Sequence, residues 1–123
     1  MKKVGSIKDY DSGEPCSRDE FFAAKADIMI PAALQNQIDE PEARALKARV
    51  VLEGANGPVT TAGDAVLRER GIEVVPDILT NAGGVTVSYY EWVQNGNQET
   101  WDLDEVDTRL EKAMRSTYRR VHE

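Results

Sequence analysis

The chain has 123 residues, enough for one domain or for one piece of a larger one. Its net charge of -7 at pH 7 argues against a nucleic-acid or anionic-membrane partner, because phosphate binding requires a basic surface. No apolar run approaches the ~20 residues of a membrane span, and the first residues lack the apolar segment of a signal peptide. A single cysteine, Cys16, excludes an internal disulfide and suits a reducing compartment, so we expect a cytoplasmic protein.

Short apolar runs alternate with segments of helical pattern along the chain. Ser17 and Glu20 have the spacing of a capping box, Thr60 or Thr61 can cap a later helix, and Gly71 can end it. The predicted elements, in chain order, are a loop at 5–16, a helix at 17–25, a strand at 27–30, a helix at 39–48, a strand at 49–52, a helix from 60 or 61 to 70, a strand at 72–75, a turn at 81–84, a helix at 85–93, a loop at 94–98 and a helix at 103–121.

The last predicted helix is amphipathic. Acidic residues lie at its start and arginines near its end, and both biases suit the helix dipole. Its stripe is too short to favour a coiled coil, so we expect this helix to face the core. The apolar residues of the stripe, spaced by three and four, are Leu103, Val106, Leu110, Met114, Tyr118 and Val121.

The alternation of strands and helices predicts an α/β fold: half of a Rossmann-type fold, with a three-stranded parallel sheet and flanking helices. In such sheets ligands bind at the carboxyl ends of the strands. The small residues and amides of this chain are concentrated in the segments that follow the predicted strands, at 31–33, 54–57 and 81–84. Small residues let the backbone approach a flat ligand closely.

Three asparagines in or near these segments, Asn36, Asn56 and Asn81, carry amides that suit ribose hydroxyls and a carboxamide. Glycine and asparagine also simply build turns, and for any one position that reading is the stronger. Three such turns at matching strand ends favour a ligand site. Ser88 has two readings: a hydroxyl bonded to backbone in a first helical turn, or a hydrogen bond to a substrate carboxylate at a helix N-terminus.

The other potentially reactive side chains do not indicate a catalytic or metal-binding site. His122 lies next to the C-terminal residue and is expected to be a solvated helix-end residue. Cys16 lies in a predicted loop with no histidine near it in sequence, which argues against a catalytic thiol. No group of residues has the ligands and spacing of a metal site.

Three blocks of this sequence resemble the glutamate dehydrogenases of the Glu/Leu/Phe/Val dehydrogenase family. The first runs over 30–38 (IPAALQNQI) and the second over 51–58 (VLEGANGP). The third and most specific block runs over 75–94 (VPDILTNAGGVTVSYYEWVQ). The resemblance extends from about Gly5 to the final helix. The stretch 85–88 is more similar to glutamate enzymes than to the branched-chain and phenylalanine dehydrogenases.

This resemblance implies an oxidoreductase that converts L-glutamate to 2-oxoglutarate and ammonia with NAD or NADP. It implies that Ala32, Asn56 and Asn81 line the cofactor, with both asparagines on the nicotinamide side, and that Asn36 is a weaker candidate. It also implies that Ser88 faces the side-chain carboxylate of the substrate. The chain would then be the nicotinamide-side half of a dinucleotide-binding domain over 1–123.

The same resemblance implies parts that these 123 residues do not contain. The catalytic lysine and aspartate of the family belong to an N-terminal substrate domain with no counterpart here, and no G-x-G-x-x-G occurs in the chain. We therefore expect part of a dehydrogenase that is inactive alone, as a truncated, split or engineered piece. Without the pyrophosphate turn, we also expect these residues alone to bind NAD or NADP weakly or not at all. The alternative is a non-catalytic nucleotide-binding or oligomerising module. In either case the open sheet edge predicts a homo-oligomer or pairing with a missing N-terminal half.

Overall fold

The computed structural model describes residues 13–122, so residues 5–12 of the loop predicted over 5–16 lie outside the described residues, as does the side chain of His122. The elements, in chain order, are α1 (Arg18–Phe22), β1 (Ile28–Met29), α2 (Glu40–Ala45), β2 (Val50–Leu52), α3 (Thr61–Glu69), β3 (Glu73–Val75), α4 (Asp77–Thr80), α5 (Ala82–Asn97) and α6 (Leu103–His122). Within the described residues, no helix has the length and apolar character needed to cross a membrane.

The three strands form one parallel sheet in the order β1-β2-β3. Ile28 pairs with Val50 across the first ladder, and Val50 pairs with Glu73 across the second. Parallel strands need crossover connections, and the helices α2 and α3 lie in these two connections. The predicted fold class, a three-stranded parallel sheet with flanking helices, is confirmed.

The core lies between one face of the sheet and the helices α2 and α3. Its fully buried side chains include Ile38, Leu46, Val51 and Leu67. Because side chains alternate along a strand, Val50 and Leu52 point to the other face. There they line a groove of about 660 Å³ together with the Met114 and Tyr118 side chains of α6.

Local hydrogen bonds explain where the first helices begin. Ser17 and Glu20 form the predicted capping box at α1, and Asp39 and Glu42 form a second one at α2. Of the two candidates for the third cap, the structure selects Thr60, whose hydroxyl accepts a hydrogen bond from the backbone N–H of Gly63 at 3.0 Å. Gly71 follows α3 with a φ of +68°, a conformation in which glycine ends a helix without strain.

Two of the predicted helices are shorter than expected. The helix α1 ends at Phe22, so Lys25 lies beyond it, and α2 ends at Ala45, so Leu46 and Ala48 are buried outside the helix. Leu46 has an extended backbone with ψ of 135°. The chain leaves the helix there to enter β2, and burial of Leu46 and Ala48 does not require helical geometry.

The predicted turn at 81–84 and loop at 94–98 were wrong. The helix α5 begins at Ala82 and continues through Gly96 to Asn97, and Gln98 ends it with a left-handed φ of 57°. Packing against α6 stabilises this extension: the Tyr90 hydroxyl donates to the Arg109 carbonyl at 3.2 Å. These tertiary contacts offset the roughly 1 kcal/mol by which glycine disfavours a helix interior.

The last helix has its predicted extent but does not face the core. Among the described side chains of α6, Val106, Leu110 and Met114 are half-buried, whereas Leu103 and Val121 are exposed. The helix packs mainly on α5 and more weakly on α4. The amphipathic stripe was therefore correctly located, but it packs mainly on a neighbouring helix, and only its Met114 and Tyr118 end borders the groove on the second face of the sheet.

Candidate functional site

The carboxyl ends of the three strands meet at one edge of the sheet, and backbone hydrogen bonds join the segments that follow them. The N–H of Ala55, after β2, donates to the carbonyl of Pro31, after β1, at 2.8 Å. The N–H of Glu53 donates to the carbonyl of Val75, at the end of β3, at 3.1 Å. The predicted ligand-binding edge thus consists of three connected segments.

A groove of about 460 Å³ lies between the first two of these segments, lined by residues 32–35 and 54–56. Gly54 brings the two walls together: a Cβ at this position would lie 3.1 Å from the Cβ of Ala32 and 3.4 Å from Cγ2 of Ile30. Only a residue without a side chain fits this approach unstrained. None of the seven lining residues carries a charge, so the groove suits an uncharged ligand surface.

Two of the predicted site residues contact each other directly. The Asn81 side-chain Nδ2 donates to Oδ1 of Asn56 at 2.7 Å, although the two residues are 25 positions apart. Both side chains are exposed. Each amide has further hydrogen-bonding capacity, a donor on Nδ2 of Asn56 and an acceptor on Oδ1 of Asn81. This amide pair presents a donor and an acceptor side by side at the edge of the sheet.

Two acidic residues hold the segments that carry the amide pair. Buried Glu53 accepts hydrogen bonds from the backbone N–H groups of Asp77, at 3.0 Å, and Val59. The Asp77 carboxylate accepts from the N–H of Gly57 at 2.8 Å through Oδ2, and from the N–H of Ile78 at 2.6 Å through Oδ1. Glu53 and Asp77 received no role from the sequence, although each acid directly follows the end of a strand or its proline.

Burial raises the pKa of Glu53 above its ordinary value of 4.5, and the nearby carboxylates of Asp77 and Asp64 add to this effect. The two backbone N–H groups that donate to Glu53 act in the opposite direction and favour its charged form. The upward direction of the pKa shift means that the folded state holds this proton more tightly than the unfolded chain.

The raised pKa of Glu53 predicts that the free energy of unfolding depends on pH, and that Glu53→Gln removes this contribution. A raised pKa contributes stability at low pH, and this contribution is lost as pH rises from about 4.5 through the folded-state pKa. The unfolding free energy of the unmodified chain should therefore fall relative to that of Glu53→Gln between pH 4 and pH 7. Urea unfolding at several pH values measures this difference, and a difference that does not change with pH contradicts the prediction.

Two further predicted site residues, Asn36 and Ala32, lie next to the segment that carries Asn56. Asn36 has a left-handed φ of 54°, and its backbone N–H donates to the Gly57 carbonyl at 2.9 Å. Asparagine tolerates this conformation better than most residues, which accounts for its presence there. Ala32 lines the groove together with Asn56.

Ser88 occupies the second turn of α5, because the helix begins three residues earlier than predicted. Its hydroxyl donates to the Gly84 carbonyl at 3.1 Å, and its side chain is exposed. Ser88 lies seven positions after Asn81, which places it about 10 Å along the helix axis from the amide pair. The predicted position of Ser88 in the first turn of a helix was therefore wrong, whereas the predicted hydrogen bond of its hydroxyl to backbone is present.

Residues 13–122 contain no group of three or more His, Cys, Asp or Glu side chains arranged to hold a metal ion. This part of the chain belongs to a Rossmann-type α/β domain, because it has an open parallel sheet, helical crossovers and a groove at the carboxyl edge of the strands.

The model of the Glutamate/Leucine/Phenylalanine/Valine dehydrogenase family matches residues 1–123. The chain therefore belongs to this family. It is 50% identical over 114 residues to an NAD-specific glutamate dehydrogenase of Clostridioides difficile, a match that covers 93% of this chain and 27% of that protein. It is also 50% identical over 110 residues to an NADP-specific glutamate dehydrogenase of Halobacterium salinarum, with 89% and 26% covered.

Among solved structures, the hetero-hexameric glutamate dehydrogenase of Thermus thermophilus in its Leu-bound form superposes with a TM-score of 0.78. That match has 35% sequence identity and covers 81% of this chain and 24% of the other. The chain thus spans about a quarter of the length of the relatives that it matches.

Proposed function

We propose that these residues form the nicotinamide-facing part of the cofactor site in an NAD(P)-dependent glutamate dehydrogenase, which converts L-glutamate to 2-oxoglutarate and ammonia. The observation that carries this proposal is the hydrogen-bonded pair of Asn56 and Asn81 beside the groove that contains Ala32 and Gly54. The names of the relatives, which include NAD-specific and NADP-specific enzymes, support the reaction and both cofactors.

The residues present fit the nicotinamide and its ribose. A carboxamide offers one acceptor and one donor group, and the amide pair offers a donor on Asn56 and an acceptor on Asn81. The uncharged walls at 32–35 and 54–56 suit the carboxamide and the ribose, which are neutral, better than the diphosphate of the cofactor. Bound NAD(P) supplies the hydride acceptor, and the chain's own residues orient its nicotinamide. Asn36, beside Gly57, stays a weaker candidate for the same site.

The proposal that the substrate is glutamate depends on the stretch 85–88, which ends at Ser88. We propose that the exposed Ser88 hydroxyl turns from the Gly84 carbonyl to the side-chain carboxylate of the substrate. The exchange replaces a neutral hydrogen bond by a charge-assisted one, which is the stronger type. The asparagine pair would then hold the cofactor about two helical turns away, along α5.

We further propose that the 123 residues alone do not turn over glutamate. The catalytic lysine and aspartate implied by the family and the glycine-rich pyrophosphate turn are not among them. The remaining portion of the enzyme would pair with the edge strand β1, where Ile28, and Ile30 just after the strand, are more than half exposed. A cytoplasmic location belongs to the same proposal, since the free and exposed Cys16 suits a reducing compartment.

A second candidate function is a non-catalytic module that binds a partner or its own copies. The exposed apolar side chains of α5, which include Val85, Tyr89 and Trp92, favour an occupied surface in either case. Stable oligomers of the isolated chain that neither bind nucleotide nor support turnover in a chimera would favour this module over the dehydrogenase.

The proposed function predicts the activity of a chimeric enzyme. The matching segment of the Clostridioides difficile enzyme is replaced by this chain, and glutamate-dependent NADH formation is followed. We expect activity in the chimera and none from the isolated chain. Asn56→Ala in the chimera should lower kcat/KM by about tenfold or more, the usual effect of losing a hydrogen bond in a binding site.

The matched control is Asn95→Ala, which removes an exposed asparagine near the end of α5. An Asn56→Ala chimera that is as active as the Asn95→Ala chimera would contradict the role of the amide pair. NAD(P)H formation from glutamate by the isolated chain would overturn the proposal that these residues are inactive alone.

A further inference from the structure

The two segments that carry the amide pair are joined by side chains as well as by backbone. Asn56 precedes Gly57, and Asn81 follows the four-residue helix α4, which begins at Asp77. The Asp77 carboxylate spans the gap between these segments through its bond to the Gly57 N–H, 20 residues away in the chain. The relative position of the two amides therefore depends on contacts outside the amides themselves.

We propose that Asp77 is a positioning residue, which together with Glu53 holds the segment after β2 against the start of α4 so that Asn56 and Asn81 remain paired. This inference rests on the proposed function, because it makes Asp77 and Glu53 responsible for the geometry of the proposed nicotinamide site. Neither acid is assigned a direct contact with cofactor or substrate.

The two oxygens of the Asp77 carboxylate accept hydrogen bonds from two different segments, which supports this role. Oδ1 accepts from the next residue, Ile78, which is a local bond at the start of a helix. Oδ2 accepts from Gly57, so the same side chain also fixes a turn that belongs to another strand. Gly57 has a φ of +52°, a conformation that glycine adopts without strain, and its N–H is thereby directed at Asp77.

Glu53 completes the connection from the opposite side. It follows β2 directly, and its buried carboxylate accepts from Val59, at the far end of the same turn, and from Asp77. The turn at 53–59 is therefore closed on itself and linked to α4 at two points. A shift of α4 relative to this turn would break at least one charge-assisted hydrogen bond, and these are among the stronger hydrogen bonds in proteins.

Four variants of the chain test the positioning role by nitrogen-15 NMR. Asp77→Ala removes both bonds of this carboxylate. Asp77→Ser keeps a hydroxyl for the local bond to Ile78 but is too short to reach Gly57. Asp77→Asn retains an acceptor at the same reach and should rescue the geometry. Asp107→Ala, which removes an exposed acid on α6, is the control.

We expect Asp77→Ala and Asp77→Ser to accelerate hydrogen exchange at the Gly57 N–H by about tenfold or more. The side-chain amide resonances of Asn81 should move towards those of a free amide. The third measurement uses the chimera with the Clostridioides difficile enzyme, in which Asp77→Ala and Asp77→Ser should raise the KM for NAD⁺. Asp77→Asn and Asp107→Ala should resemble the unmodified chain in all three measurements.

The inference is overturned if Asp77→Ser leaves the Asn81 amide resonances and Gly57 exchange unchanged. Slow exchange at Val51 and Leu67 shows whether each variant retains its core. If Asp77→Ala unfolds, two other measurements decide the question. One is the comparison of Asp77→Ser with the unmodified chain. The other is the scalar coupling across the hydrogen bond between the Gly57 nitrogen and the Asp77 carboxyl carbon in the unmodified chain, and absence of that coupling counts against the role. If the Asn56→Ala chimera is as active as the Asn95→Ala chimera, the proposed function fails independently of this inference.

Discussion

Gly63→Ala is expected to destabilise the chain by about 3 kcal/mol, although the same substitution in an open helix stabilises by up to about 1 kcal/mol. The added Cβ would overlap the carbonyl oxygen of Ile38, which is backbone and cannot rotate away. That oxygen also accepts the hydrogen bond from the N–H of Thr60 at 3.0 Å. The first turn of α3 must therefore move away from the segment before α2.

The effect of Gly63→Ala should reach the candidate site. Ile38 forms a parallel bridge with Val59, and Val59 donates to Glu53 at the end of the turn that carries Asn56. Displacing Ile38 thus loosens the turn from its far end. We expect faster hydrogen exchange at Val59 as well as a lower urea midpoint.

The matched control for Gly63→Ala is Gly96→Ala. Gly96 lies within α5, and no atom lies within 4 Å of an added Cβ at that position. This substitution should leave stability unchanged or raise it slightly, because alanine favours a helix over glycine. Equal urea midpoints for the two variants would show that α3 does not pack closely on Ile38.

Leu67→Ala is the second substitution with a large expected effect, a loss of about 2–5 kcal/mol in the unfolding free energy. The Leu67 side chain is fully buried on α3, between this helix and the sheet face that contains Val51. The substitution removes apolar contact and leaves a cavity that a closely packed core cannot fill completely. Such a loss is a large part of the stability of a small domain.

Leu103→Ala is the matched control, because the Leu103 side chain is 73% exposed at the start of α6. The same leucine-to-alanine change should alter stability there by less than about 0.5 kcal/mol. Urea unfolding followed by circular dichroism measures both variants. Similar losses for Leu67→Ala and Leu103→Ala would place the core elsewhere than between α3 and the sheet.

The strands and most helix starts could be predicted from the sequence because their signals are local. The capping box at Ser17 and the cap at Thr60 involve hydrogen bonds over three residues. The predicted turn at 81–84 failed for the opposite reason. Gly83 and Gly84 usually indicate a turn, but in the structure they occupy the first turn of α5, next to the short helix α4.

The candidate site was only partly accessible to sequence reasoning. Residue type and position at the strand ends singled out Asn56 and Asn81, and the family resemblance added Ala32; the groove and the amide pair place these residues at one edge. Glu53 and Asp77 were missed because an acid after a strand is common in loops. Their importance depends on partners up to 24 residues away, which composition does not reveal.

The sequence by itself determined the alternation of strands and helices, the small and amide residues at the strand ends, and the motifs that resemble the glutamate dehydrogenases. These features depend on propensities and spacings that act over a few residues. Only the tertiary structure decided that Asn81 pairs with Asn56, that Asp77 connects their segments, and that α6 covers α5 instead of the core. Those outcomes depend on strand register and helix packing, which bring together residues that are distant in the chain.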